Sequence, residues 1–218
     1  MHSVSRDRQP DAQRRHLLIG GAAVAMAAWA TPAQAVVEIE GVQLEDSQVV
    51  AGRKLLLNGA GLRRRGYFKA DVTALYLPER RTTADAILKL DGPRRIQLNI
   101  LREFSSSTIS RIFISDFKQA ATDEEFKKLI DVVSQIGAAY SNVKRVVRGD
   151  VVNLDWIPGR GWQASHNGKV LTGDSTGPVF INSELAYQIY MRMYIGPNAP
   201  DELRNSLLGL TKLHQAAV

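Results

Sequence analysis

Three consecutive arginines, Arg63, Arg64 and Arg65, follow a Gly59-Ala60-Gly61 segment and precede the strand-like sequence FKADVTALYL. Arginine recognises phosphates and carboxylates through paired N–H donors. This stretch can therefore bind phosphate, contact nucleic acid, form a solvated turn, or hold one arginine inside a pocket. The glycine spacing argues against a phosphate loop, because the sequence has neither a G-x-G-x-x-G segment opening a helix nor a Gly-Lys-Ser/Thr loop.

The other side chains able to do acid, base or metal chemistry are few. The sequence has no cysteine and four histidines. His214 lies near the end of the chain, and His166 adjoins Asn167-Gly168, so we expect His166 to be a solvated turn residue. The sequence therefore predicts no metal site and no cofactor. Asp71 and Asp116 are the candidate general bases, on the condition that a pocket raises their pKa toward neutrality.

The first 35 residues have the order of a secretory signal. Arg14 and Arg15 precede an apolar run at 17–30, and Ala33-Gln34-Ala35 offers a cleavage site. The run is shorter than the roughly 20 residues of a membrane span. This order predicts a cleaved signal at 1–35, a single domain at 36–218, and a periplasmic protein without a stable membrane anchor. Twin-arginine and Sec export both remain open, and so does the oligomeric state.

Charge argues against nucleic-acid binding. The whole chain has a net charge of +6, and its first 35 residues contain four arginines and two aspartates. The remainder is only mildly basic, whereas a nucleic-acid-binding domain concentrates its basic residues in a stripe or patch.

Alternating apolar residues and turn signals predict strands in two parts of the chain. The predicted strands cover 36–42, 54–62, 67–77, 95–101, 151–156, 162–165 and 169–171. Asn167-Gly168 joins the last two as a two-residue hairpin turn. Arg64 and Arg65 are assigned to the turn before 67–77, in solvent. The glycines at 59 and 61 are expected to form a bulge or to permit close backbone approach.

Helical spacing of apolar residues separates these two groups of strands and returns near the C-terminus. Helices are predicted from Thr108, Thr122, Ser183 and Asp201, and Thr122 is spaced from Glu125 as in a capping box. The predicted buried face of the second helix carries Phe126, Leu129, Ile130, Val133 and Ile136. The order of strands, helices, strands and helices predicts an α+β fold with a mainly antiparallel sheet.

Three blocks of the sequence resemble the chalcone isomerase superfamily, in particular its bacterial exported branch. They are NGAGLR with FKADVTALYL, then LREFSSSTISRIF, then ELAYQIYMRMYIGPNAPDELRNSLLG. The resemblance covers nearly all of residues 36–210. It implies an open-faced β-sandwich, in which helices pack on one side of an antiparallel sheet and a ligand binds in the cleft between them without a cofactor.

The resemblance carries over one functional position of five. The arginine that stabilises the substrate anion in the enzymes matches Arg63. Where the enzymes have threonine, tyrosine, asparagine and threonine, this sequence has Asp71, Ile109, Asp116 and Met193. Each lost hydrogen-bond donor costs about 2.7–4 kcal/mol in a transition state. Little or no chalcone isomerase activity is therefore predicted.

Non-catalytic members of the superfamily bind fatty acids and use the same arginine for the carboxylate, which implies a ligand-binding role for Arg63. Asp71 complicates this role, because a carboxylate beside Arg63 would partly neutralise it. Either Asp71 faces away from the cleft, or the cleft prefers neutral or cationic ligands. The predicted apolar wall of the cleft consists of Ile109, Phe113, Tyr190, Met193 and Tyr194.

Three functions follow from these observations. The first is a non-catalytic binder of a small apolar or carboxylate-bearing, fatty-acid-like ligand. The second is a cofactor-independent isomerase or intramolecular lyase, with Asp71 or Asp116 as general base. The third is a structural periplasmic protein that acts through partners. The retained Arg63 and the lost hydroxyls favour the first.

Overall fold

The computed structural model describes residues 36–172 and 178–212. They all belong to one compact unit, Gln34–Val218. The predicted signal at 1–35 and His214 lie outside the described residues.

The described residues contain the strands and helices that the sequence predicts, with several additions. The strands are β1 (Val36–Ile39), β2 (Val42–Glu45), β3 (Ser47–Val50), β4 (Arg53–Arg65), β5 (Phe68–Leu77), β6 (Arg94–Ile100), β7 (Phe104–Ser105), β8 (Arg145–Val146), β9 (Val151–Ile157), β10 (Gly161–His166) and β11 (Lys169–Val170). The helices are α1 (Ala84–Leu88), α2 (Ser106–Ala120), α3 (Asp123–Lys128), α4 (Ile130–Ser141), α5 (Glu184–Ile195) and α6 (Asp201–Leu207).

Seven strands form one sheet in the order β11-β10-β9-β6-β5-β4-β3, and every neighbouring pair is antiparallel. Helices α2, α4 and α5 pack on this sheet and contribute aromatic and aliphatic side chains to the larger of two apolar clusters. The predicted fold class, an α+β open-faced sandwich, is therefore confirmed.

Strand β5 shows how side-chain alternation assigns residues to the two faces of the sheet. Leu75 and Leu77 belong to the cluster beneath the helices, whereas Val72, Ala74 and Tyr76 belong to a second cluster on the opposite face. By the same alternation, residues 71 and 73 of β5 point toward the helices. The polar side chains at these two positions therefore lie on the helix side of the sheet.

The glycines before the arginines let helix α6 pack directly on strand β4. A Cβ atom on Gly59 would lie 2.0 Å from the Ser206 backbone oxygen, and one on Gly61 would lie 2.8 Å from the Ser206 Cβ. A register shift in the β4–β5 pairing places Asn58 in a bulge, where its side-chain amide donates to the Leu207 carbonyl at 2.7 Å. Of the two roles predicted for these glycines, close backbone approach is confirmed, whereas the bulge is formed by the preceding Asn58.

Local turn and cap signals predicted from the sequence also appear in the structure. Asn167 and Gly168 have φ values of 49° and 77°, as a two-residue hairpin turn requires. Thr122 and Glu125 form a complete capping box at the start of α3.

Three assignments are corrected. Residues 36–42 are not one strand, because Glu40 and Gly41 adopt positive φ and turn the chain into the β1–β2 hairpin. The helix expected from Thr122 is interrupted at Leu129, whose φ of −108° and ψ of 14° are not helical. After this interruption Ile130 is exposed instead of buried. The turn after β4 is formed by Gly66 and Tyr67, so the arginines lie inside the strand.

Candidate functional site

A cleft opens between the end of the sheet that carries the arginines and helices α2, α4 and α5. Counted together with the open solvent at its mouth, the space in the cleft amounts to about 800 Å³. Most of its wall is apolar. The wall includes Leu98, Ile100, Ile109, Ile112, Phe113 and Val143.

All seven site residues predicted from the sequence line this one cleft. They are Arg63, Asp71, Ile109, Asp116, Tyr190, Met193 and Tyr194. Ile109 and Met193 add apolar surface to the wall. The structure thus brings the predicted residues together, while their role in ligand binding stays a prediction.

Arg63 and Asp71 form a buried ion pair at the polar end of the cleft. They are direct partners across the β4–β5 pairing. Arg63 Nε donates to Asp71 Oδ2 at 2.8 Å, and Nη2 lies 2.7 Å from the same oxygen. The Asp71 side chain is 1% exposed and that of Arg63 is 15% exposed. The alternative in which Asp71 faces away from the cleft is therefore wrong.

The second oxygen of Asp71 is also occupied. Thr73, two residues along β5 and on the same face, donates its hydroxyl to Asp71 Oδ1 at 2.7 Å. Burial alone would lower the pKa of the Arg63 guanidinium, but the adjacent Asp71 carboxylate raises that pKa above its ordinary value. The Arg63 guanidinium thus stays charged inside the protein.

Two tyrosines extend this polar cluster from helix α5. Arg63 Nη1 donates to the Tyr194 hydroxyl at 3.3 Å, and the guanidinium carbon lies 5.2 Å from the centre of the Tyr194 ring. The hydroxyls of Tyr194 and Tyr190 are hydrogen-bonded at 2.8 Å. The two residues are four apart on one helix, which places them on the same face. Burial raises the pKa of both phenols, so their hydroxyls stay neutral.

Tyr140 is a cleft residue that the sequence did not single out. It lies on α4, lines the cleft, and packs edge-on against Phe113 with ring centres 5.4 Å apart. Burial raises the pKa of its phenol as well. Its hydroxyl reaches the site from a helix whose packing on the sheet has no local sequence signal. Tyr140 thus adds a third tyrosine to the lining of the cleft.

Arg65 is not a solvated turn residue. It ends β4, faces the same side as Arg63, and pairs with Asp116 of helix α2 through both carboxylate oxygens, one contact being 3.0 Å between Nη1 and Oδ1. The Arg65 side chain is 32% exposed and the Asp116 side chain is 17% exposed. Arg64, between the two inward-facing arginines, is exposed as predicted.

His166 also departs from the prediction of a solvated turn residue. It is the last residue of β10, lines the cleft, and its Nε2 lies 2.8 Å from Asp150 Oδ2. Asp150 also accepts a hydrogen bond from the Asn167 side chain at 2.9 Å. This cluster anchors the β10–β11 hairpin at the edge of the cleft.

The arrangement favours the binding of a ligand over general acid or base catalysis. Both oxygens of Asp71 accept hydrogen bonds from Arg63 and Thr73, and both oxygens of Asp116 face Arg65. Each of these carboxylate oxygens thus already accepts a hydrogen bond from within the protein. Among the described residues, no group of three or more acidic or histidine side chains could hold a metal ion.

Comparison with known proteins agrees with this architecture. A family model described as chalcone isomerase-like matches residues 35–209. The crystal structure of a fatty-acid binding protein from Arabidopsis thaliana superposes with a TM-score of 0.64 at 15% identity, covering 80% of this chain and 96% of the plant chain. At that identity the likeness shows the fold. No curated protein sequence matches the chain. Within the described part of the chain, none of the helices is long and apolar enough to span a membrane.

Proposed function

Because the chain belongs to the chalcone isomerase-like family, we propose that it is a non-catalytic binder of a small, mainly apolar ligand in the cleft between sheet and helices. The ligand's hydrocarbon part lies against the apolar wall. Its polar head reaches Arg63, Tyr194 and Tyr190. The fatty-acid binding protein that shares the fold supports a ligand with an acyl-like chain.

The observation that carries this proposal is the contrast, within one cleft, between an apolar wall and a small polar cluster. Helix α2 contributes Ile109, Ile112 and Phe113 to the wall, and β6 contributes Leu98 and Ile100. Beside this wall, on β4 and α5, a guanidinium and two neutral hydroxyls converge. An apolar pocket with a few convergent polar groups is the usual form of a small-molecule site.

Binding of a fluorescent long-chain acyl amide to the purified protein tests the proposal. We expect saturable binding of one probe per chain. We expect Ile109→Trp to weaken it by at least about tenfold, because a larger side chain fills the cleft. Val49→Trp is the matched control, since Val49 lies on β3 with 67% of its surface exposed and does not line the cleft. Probe binding that both variants retain equally would contradict a site in the cleft.

We also propose that the protein acts in the periplasm after removal of residues 1–35. The paired arginines, the apolar run and Ala33-Gln34-Ala35 support this, and the family match begins at residue 35. N-terminal sequencing of the protein from a periplasmic fraction should find Val36 or a neighbouring residue first. A membrane-bound product that keeps residues 17–30 would contradict it.

A further inference from the structure

The charged side chains of the cleft cancel one another in pairs. Arg63 is paired with Asp71 and Arg65 with Asp116, and all four line the same cavity. The polar end of the cleft therefore presents hydrogen-bonding groups without a net charge. This balance bears on which head group the cleft accepts, an inference that rests on the proposed binding function.

Asp71 already occupies the part of Arg63 that a carboxylate would need. A guanidinium binds a carboxylate best through two parallel N–H donors. In Arg63 both Nε and Nη2 are engaged by Asp71 Oδ2, and Nη1 donates to Tyr194. A ligand carboxylate would thus share Arg63 with an internal carboxylate.

Asp71 cannot move aside into water to make room. Its side chain is 1% exposed, and Thr73 holds its other oxygen at 2.7 Å. Two carboxylates close to one guanidinium in a site that excludes water repel each other strongly. A cationic head meets the opposite obstacle, because Arg63 lies at the same end of the cleft.

A neutral head meets neither obstacle. The oxygen of an amide, ester or alcohol can accept a hydrogen bond from a remaining N–H of Arg63 or from a tyrosine hydroxyl, and an amide or alcohol can also donate one. The hydroxyls of Tyr190 and Tyr194 both donate and accept, and they are 2.8 Å apart at the head of the cleft. We propose that the cleft selects long-chain ligands with an uncharged, hydrogen-bonding head over the corresponding carboxylates and amines.

Three ligands of one chain length test this selection on the unaltered protein: dodecanamide, dodecanoic acid and dodecylamine, at a pH near 8, where the acid and the amine are charged. We expect displacement of the fluorescent probe to give dodecanamide the lowest dissociation constant, by at least about tenfold. A lower or equal dissociation constant for the acid or the amine would overturn the inference and leave the binding function in place. Binding of none of the three would instead count against the proposed function.

The variant Asp71→Asn tests whether the charge of Asp71 causes the selection against carboxylates. Removing the internal negative charge should strengthen dodecanoic acid binding by about tenfold or more and change dodecanamide binding by less than about threefold. Asp91→Asn is the matched control, because the exposed Asp91 precedes the opposite end of β6 and does not line the cleft. The inference is overturned if Asp71→Asn leaves acid binding unchanged, or strengthens acid and amide alike. If this variant does not fold, the comparison of ligands on the unaltered protein still decides.

Discussion

Two arginines of β4, Arg63 and Arg65, each pair with an aspartate in this cleft. The two pairs differ chiefly in their exposure to solvent. Arg63–Asp71 links adjacent strands at the floor of the cleft, and its aspartate is 1% exposed. Arg65–Asp116 links the strand to helix α2, with side chains 32% and 17% exposed. Thr73 and Tyr194 are hydrogen-bonded to the inner pair, whereas the outer pair is partly exposed to solvent.

Two ion pairs of the same residue types therefore need not contribute equally to the stability of the protein. Removing one partner of a buried pair leaves a charge with neither water nor a counter-ion. Removing one partner of a partly exposed pair leaves a charge that water can solvate. We therefore expect the inner pair to be essential for the stability of the sheet and to determine which charge the ligand head can have. The outer pair should make a smaller contribution, at the mouth of the cleft.

The largest expected effect follows from removing the inner guanidinium. Arg63→Ala should lower the free energy of unfolding by about 3–5 kcal/mol, because Asp71 would stay buried without its counter-charge. Chemical denaturation measures the loss. Arg64→Ala, an exposed change on the same strand, is the control and should cost less than about 0.5 kcal/mol.

A double variant separates charge from packing in this result. Arg63→Met combined with Asp71→Leu removes both charges and keeps apolar volume, so it should recover most of the lost stability. Equal losses in the single and the double variant would show that packing, not the uncompensated carboxylate, explains the effect.

The sequence predicted the secondary structure around the two ion pairs but not which aspartate pairs with each arginine. Hairpin turns, caps and alternation are local signals, so the strands, the capping box and the Asn167-Gly168 turn could be predicted. The family resemblance singled out Arg63. The arginine run looked like a turn because three adjacent charges are unusual inside a strand, and the aspartates that satisfy Arg63 and Arg65 come from β5 and α2.

The tyrosine hydroxyls of the cleft were likewise not predicted from the sequence. Tyr190 and Tyr194 were predicted as apolar wall from their helical spacing. The hydrogen bond from Arg63 to Tyr194, and the one between Tyr194 and Tyr190, depend on how α5 crosses the sheet. Tyr140 reaches the cleft from α4, after an interruption at Leu129 that involves neither glycine nor proline. Helix orientation is set by tertiary packing, which the pattern of a single sequence does not reveal.

A smaller effect is expected from loosening the inner pair without breaking it. Thr73→Val removes the hydroxyl that donates to Asp71 Oδ1 and keeps the shape of the side chain. It should lower the free energy of unfolding by about 1–3 kcal/mol, the usual result of leaving a buried acceptor unsatisfied. Thr82→Val, at an exposed position, is the control in the same denaturation measurement. A loss no larger than that of the control would mean that water reaches Asp71 after all.

The smallest effect should come from the outer pair, and its salt dependence sharpens the comparison. A double-mutant cycle with Arg65→Ala and Asp116→Ala should give a coupling free energy of about 0.5–1 kcal/mol, because two-point geometry is offset by partial exposure. Raising the ionic strength to about 1 M shortens the screening length to about 3 Å, so this coupling should fall toward zero. The cycle for Arg63 and Asp71 should keep most of its coupling, since ions cannot enter between buried groups. If the coupling free energy of the outer pair instead stays unchanged at high salt, as that of the inner pair should, the outer pair is shielded from solvent as well. The two pairs would then act as one charged network.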